Sequence, residues 1–114
     1  IFRDERGVFC GITNKHIWKE INIIETVKDV DRGGHYHKFT EELFYIIKGD
    51  IDVRIYNIDD SKETNFRAKD GDVFIVMPNE VHTFKVNADS IWINMLSNVL
   101  DKDSPDIYKY EFGK

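Results

Sequence analysis

The chain has 114 residues, 41% of them hydrophobic and 32% charged, which suits one domain with one core and excludes a disordered segment. Its formal net charge of −5 argues against nucleic acid as the main partner, although a local cluster of cations would still hold a phosphate-bearing small molecule. The single cysteine, Cys10, forbids an internal disulfide and is expected to be a small buried apolar residue, and no run approaches the ~20 apolar residues of a membrane span. The chain starts at Ile1, which leaves room for a trimmed N-terminus, and a cytoplasmic location is expected.

Residues 1–12 read as an N-terminal arm or strand, and "INIIETV" (21–27) as the first apolar β run. Gly33 and Gly34 then punctuate the chain before a polar strand carrying two histidines. "ELFYII" (42–47) follows, closed by the Lys48, Gly49, Asp50 turn. In "IDVRIYNI" (51–58), Ile51, Val53 and Ile55 alternate with Asp52, Arg54 and Tyr56, the period of a half-buried strand. After turns at residues 57–61 and 69–72 come "DVFIVM" (72–77), the Pro78 and Asn79 turn, "VHTFKV" (81–86), a turn at 87–89, and "SIWINML" (90–96). No useful helical period appears. Short, evenly spaced strands predict an all-β sandwich or barrel, as one domain over residues 1–114 with a polar tail from 98 that packs as an arm or short strand.

His35 and His37 are two apart on a strand, so their side chains share a face. Glu42 opens the next strand, and His82 lies four residues after Pro78. If these strands line one barrel, three imidazoles and a carboxylate converge. That set suits a divalent metal, zinc first, then iron, manganese or nickel, with no organic cofactor. Phe44, Phe74, Phe84 and Trp92 are expected to fill the interior.

These residues carry a resemblance. "HYHKFTEELFYIIKG" (35–49) resembles the first cupin motif and "GDVFIVMPNEVHTF" (71–84) the second, which implies a jelly-roll barrel. Two turns depart from the pattern: Glu80 stands where a glycine is usual, and "VKDVDR" replaces an early glycine. "FRDERGVF" (2–9) resembles the opening of 4-keto-sugar 3,5-epimerases, and "DRGGHYHK" (31–38) a stretch in those enzymes and in sugar 3,4-ketoisomerases. With the "DKDSPDIY" tail (101–108), the chain as a whole resembles the cupin domain of capsular-polysaccharide reductase-epimerases.

The resemblance implies proton abstraction beside the ketone of a nucleotide-linked 4-keto-hexose. Such chemistry needs a base near neutrality and positive charge near the oxygen. A metal-bound histidine is not also a free base. With a metal in place, Lys38, Glu41, Tyr36 and Tyr45 are the nearby base candidates; without one, His35 or His37 is. Arg32 and Arg6 are expected to contact substrate by resemblance, and Arg54 is a third candidate whose direction alternation alone leaves open. A metal-dependent oxygenase and a non-catalytic sugar- or metabolite-binding cupin compete with this reading. The expected partners are a nucleotide sugar, a separate reductase, and a second copy of the chain paired through edge strands.

Overall fold

The computed structural model of the chain describes residues 1–14 and 17–112, and every regular element among them is a strand. In order these are β1 (Phe2–Asp4), β2 (Gly7–Phe9), β3 (Glu20–Thr26), β4 (Val30–Tyr36), β5 (Glu42–Lys48), β6 (Asp50–Asn57), β7 (Glu63–Lys69), β8 (Val73–Val76), β9 (Glu80–Val86), β10 (Ser90–Leu96) and β11 (Tyr108–Lys109). No helix among them is long and apolar enough to cross a membrane.

The strands β3, β10, β5 and β8 lie side by side in one sheet; β11, β4, β9, β6 and β7 form a second; β1 and β2 pair only with each other. Every pairing is antiparallel. Strands distant in sequence interleave across two facing sheets, the all-β jelly-roll barrel that the motifs imply. Between the sheets, Phe44, Ile46, Ile51, Val53, Ile55, Ala68, Val76, Phe84, Val86 and Trp92 bury one core, with Phe66 and Phe74 half-buried at its rim. Each large side chain there contributes about 1.5–3 kcal/mol through apolar burial.

The expected alternation is seen in β6, where Ile51, Val53 and Ile55 are buried while Asp52 is exposed. β7 was not among the expected runs: "ETNFRAK" buries only Ala68 and half-buries Phe66, too sparse an apolar pattern to mark a strand by itself. Cys10 departs from expectation too. It is exposed, because it lies in the link between the β1–β2 hairpin and the barrel rather than on a core strand.

Candidate active site

The glycine pair decides how β4 presents its histidines. Arg32 pairs with Phe84 and Gly33 with Thr83 on β9, then the register shifts and His35 pairs with His82. Gly34 is the extra residue of a β-bulge. Phe84 and His82 both face the barrel interior, so without the bulge His35 would point outward. Both glycines hold positive φ, 90° and 78°. At Gly33 a Cβ would stand 2.3 Å from the His82 carbonyl oxygen. Only glycine permits that approach.

Inside the barrel the four expected residues meet. The metal-binding atoms of His35, His37 and His82 all lie within 4.8 Å of one another. Glu42, at the start of β5, places Oε1 3.2 Å from His37 Nε2 and 3.3 Å from His82 Nε2. His37 and His82 are almost fully buried, whereas His35 is half-buried and is the histidine open to an incoming molecule.

Hydrogen bonds fix the rings. His37 Nδ1 donates to the Asp106 carbonyl at 2.5 Å, and His82 Nδ1 donates to the Glu80 carbonyl at 3.2 Å. Each bond aims Nε2 into the cavity. The Asn94 amide on β10 donates to Glu42 Oε2 at 2.6 Å, which leaves Oε1 for the histidines. Asn22 on β3 donates in turn to Asn94 Oδ1 and to Glu20, so a polar line runs from the histidines along the inside of the four-stranded sheet.

Charge is divided unequally among these groups. Burial pushes the His82 pKa down to about 4, although the Glu42 charge opposes it. Burial and the neighbouring His37 also lower His35, with Glu42 again opposing. At His37 burial is outweighed by the bonds to Glu42 and to the Asp106 carbonyl, and the pKa rises. Glu42 is pushed up by burial, yet the His37 bond and the charges of both histidines bring it below its ordinary value. In the metal-free site the shifts favour the charged forms of His37 and Glu42 as a pair and the neutral forms of His35 and His82.

The same donors fit a divalent ion. A tetrahedral site with bonds of about 2.0–2.1 Å has donors roughly 3.3 Å apart, matching the 3.2 and 3.3 Å spacings around Glu42 Oε1. The backbone acceptors on both Nδ1 atoms are the outer partners that ligating histidines need. His35, His37 and His82, with Glu42 beside the last two, would hold the ion.

Other expected residues stand elsewhere. The Lys38 ammonium sits 4.3 Å over the Tyr108 ring, and Tyr36 stacks on the same tyrosine. Tyr45 belongs to the outer face of β5. Arg32 reaches β3, donating to Thr26 Oγ1 at 2.6 Å and to the Glu25 carbonyl, two rungs along β9 from His82. Arg54 lies on the outer face of β6, forked on Glu63 with Phe112 stacked 3.7 Å away. Arg6 is exposed in the hairpin, bonded to Asp4. The structure thus brings together His35, His37, Glu42 and His82 but neither Arg6 nor Arg54. A groove of about 660 Å³ crosses the outer face of the five-stranded sheet, lined by Arg54, Asn65, Thr83 and Lys85, and none of the three histidines lines it.

Asn94 and Asp106 were missed. Asn94 carried a signal, a polar residue at the inward parity of Ser90, Trp92 and Leu96 in "SIWINML". Asp106 carried none, since its partner lies 69 residues away.

Residues 2–108 match the family described as the polysaccharide biosynthesis C-terminal domain. The chain belongs to that family. It is 26% identical, over 97% of its length, to a UDP-2-acetamido-2,6-beta-L-arabino-hexul-4-ose reductase of Pseudomonas aeruginosa, of which it spans 31%. The domain's fold is shared with the capsular polysaccharide assembling protein CapF of Staphylococcus aureus, with a TM-score of 0.76, 17% identity, and 85% of this chain and 29% of that one covered. It is shared also with the sugar 3,4-ketoisomerase QdtA of Thermoanaerobacterium thermosaccharolyticum, solved with TDP, at a TM-score of 0.78 and 21% identity over 94% and 80% of the two chains. A dTDP-4-dehydrorhamnose 3,5-epimerase of Elizabethkingia anophelis superposes at 0.80 with 20% identity over 97% and 71%. The resemblances drawn from the "DERGVF", "RGGHYHK" and "SPDIY" stretches thus agree with the proteins this domain is similar to.

Proposed function

We propose that the domain is an isomerase, an epimerase or ketoisomerase acting beside the ketone of a nucleotide-linked 4-keto-hexose, with His35 as the base. The observation that carries this reading is the half-buried His35 imidazole clustered with His37 and His82 inside the barrel, beside a buried His37–Glu42 pair 3.2 Å apart. The similarity to a hexul-4-ose reductase, a ketoisomerase and a 3,5-epimerase supports the substrate class.

A ketone at C4 acidifies the C3 and C5 protons. His35 takes one of them; the C–H electron pair becomes the enolate double bond, and the carbonyl electrons move onto oxygen. Return of a proton to the opposite face inverts the carbon, and transfer between O and C moves the ketone. His37⁺, held by Glu42 and Asp106, places positive charge near the developing oxyanion. A divalent ion held by His35, His37, Glu42 and His82 would supply that charge as a Lewis acid when bound, and the base would then be a neighbouring group such as Lys38. Lys38 remains a candidate base, and Arg32, Arg6 and Arg54 remain candidates for contacts to the nucleotide sugar, Arg32 being the one nearest the histidines along its strand. The chain spans about three-tenths of its reductase relative, so the proposal includes a reductase partner that consumes the product.

The test is proton NMR in deuterium oxide with nucleotide-linked 4-keto-6-deoxyglucose and its N-acetylated relative, with metal content measured. Loss of the C3 or C5 signal, abolished in His35→Asn, is the expected result. No exchange in either substrate from folded protein would overturn the reading. Oxygen consumption with bound iron would point instead to the oxygenase that two histidines and a carboxylate also suit.

A further inference from the structure

Two carboxylates close the ends of the polar line inside the four-stranded sheet. Glu42 opens β5 beside the histidines, and Glu20 opens β3. Between them stand Asn22 and Asn94, directly opposite each other in the register of β3 with β10. Asn94 and Glu42 are buried, so each must find its partners inside the protein.

The two ends of a carboxamide have nearly the same shape and opposite hydrogen-bonding sense, so its orientation is set by what its neighbours demand. An ionised Glu42 only accepts. Asn94 therefore turns Nδ2 to Glu42 Oε2, at 2.6 Å, and presents Oδ1 to Asn22. Asn22 answers with Nδ2, whose two hydrogens go to Asn94 Oδ1 at 3.2 Å and to Glu20 Oε2 at 2.9 Å. Glu20 is fixed in turn by the Leu100 amide, which donates to its other oxygen at 3.4 Å. The line thus has one consistent polarity. Reversing either amide alone sets oxygen against oxygen.

We propose that Asn22 is a positioning residue for the histidine cluster: it acts through Asn94, with Glu20 as its anchor, to hold Glu42 in the pose that binds a divalent ion. Glu42 has two oxygens, and the histidines use one of them. Oε1 stays 3.2 Å from His37 Nε2 and 3.3 Å from His82 Nε2 because Oε2 is held from the other side. Asn94 can hold it only while its own amide is kept the right way round, and the donor that keeps it so belongs to Asn22. The side-chain bonds of Asn22 run to Glu20 and Asn94, so its influence on the cluster passes through one intermediary. It depends on which atom donates, not on bulk. The assignment rests on this polarity and stands apart from the sugar chemistry.

The experiment is zinc binding by chelator competition on the full chain, beside imidazole nitrogen NMR of the metal-free protein, with no substrate present. Asn22→Asp keeps the shape of the side chain and removes both donors; Asn22→Leu removes them at similar volume. Each should weaken zinc binding about tenfold, the loss typical of an outer partner of a metal ligand, and each should shift the His37 and His82 ring signals. In the Asn94→Ala background the intermediary is gone, and Asn22→Leu should add no further loss. Asn65→Leu, which removes a donor to Glu63 on the other sheet, should change neither reading. Either Asn22 variant serves if the other does not fold. A folded Asn22 variant with the parent's zinc affinity and the parent's ring signals overturns the proposal. So does a full tenfold loss on top of Asn94→Ala, which would mean that Asn22 acts by another route. If the parent binds no zinc, unchanged ring signals overturn the proposal and shifted ones support it. No outcome bears on the isomerase reading, which is tested with substrate.

Discussion

Gly33 and Gly34 are neighbours with nearly the same backbone conformation, yet they should respond differently to alanine. At both positions a Cβ at positive φ costs about 1–2 kcal/mol. At Gly34 nothing lies within 4 Å of the added carbon, so that is the whole cost. At Gly33 the carbon would stand 2.3 Å from the His82 carbonyl oxygen and 3.2 Å from Thr83 Cα, both backbone atoms of a paired strand. Restoring an ordinary contact pushes β4 about 1 Å from β9, enough to break roughly two ladder hydrogen bonds at about 1 kcal/mol each. Gly33→Ala should therefore cost about 3–5 kcal/mol and Gly34→Ala about 1–2 kcal/mol. Urea unfolding of the two variants measures the gap, and melting should separate them by about 10 °C or more. Because the displaced strand carries His35, the Gly33 variant should also lose whatever exchange activity the parent shows. Equal destabilisation by the two substitutions, or a larger effect at Gly34, would refute the steric account of the bulge.

Acid should weaken the metal-free protein in a defined window. The folded pKa of His82 is depressed to about 4 from an ordinary 6.5, so its neutral form stabilises the fold fully above pH 6.5 and this is lost as the pH falls towards 4, at most about 3 kcal/mol. His37 is raised and acts in the opposite sense at higher pH: its contribution is complete below 6.5 and lost as pH climbs through its folded value. Urea midpoints that stay flat between pH 6.5 and 4 would contradict burial of a neutral His82. Asn94→Ala strips the donor from Glu42 Oε2, and chelator competition should show zinc affinity falling tenfold or more. Asp106→Ala removes the acceptor of the Lys38 and Phe39 amides and the Thr40 hydroxyl, at a cost of about 2 kcal/mol for a half-exposed carboxylate. Imidazole nitrogen NMR should then show faster exchange of the His37 Nδ1 proton, with Asp106→Asn intermediate; an unchanged signal would mean that the tail does not hold the ring.

The barrel and its four central residues were legible for simple reasons. Alternation marks β6, and the spacing of His35 and His37 puts them on one face whatever the rest of the chain does. What the pattern could not supply was parity. Whether His35 faces Phe84's side or the other depends on one extra residue, and the bulge at Gly34 is visible only once the register with β9 is known. The same limit governs the arginines: Arg32 on β4 and Arg54 on β6 flank β9 in one sheet, but one crosses to β3 and the other lies outside with Glu63. β7 and Asp106 left no local trace, the first for want of apolar residues and the second because its carbonyl and carboxylate partners all lie 66–69 residues away.

The bond between His37 and the Asp106 carbonyl has a consequence in time as well as space. The two residues are separated by 69 positions, which a ribosome covers in roughly 3–14 s. Over the last 24 of those positions the nascent chain already contains His35, His37, Glu42 and His82, yet His37 Nδ1 lacks the acceptor that sets its tautomer. A chain stalled before residue 106 would carry every donor of the cavity in unsettled order, free to take up an ion in a geometry the finished domain does not permit. The segment that fixes His37 is thus made after every strand of the two sheets except β11.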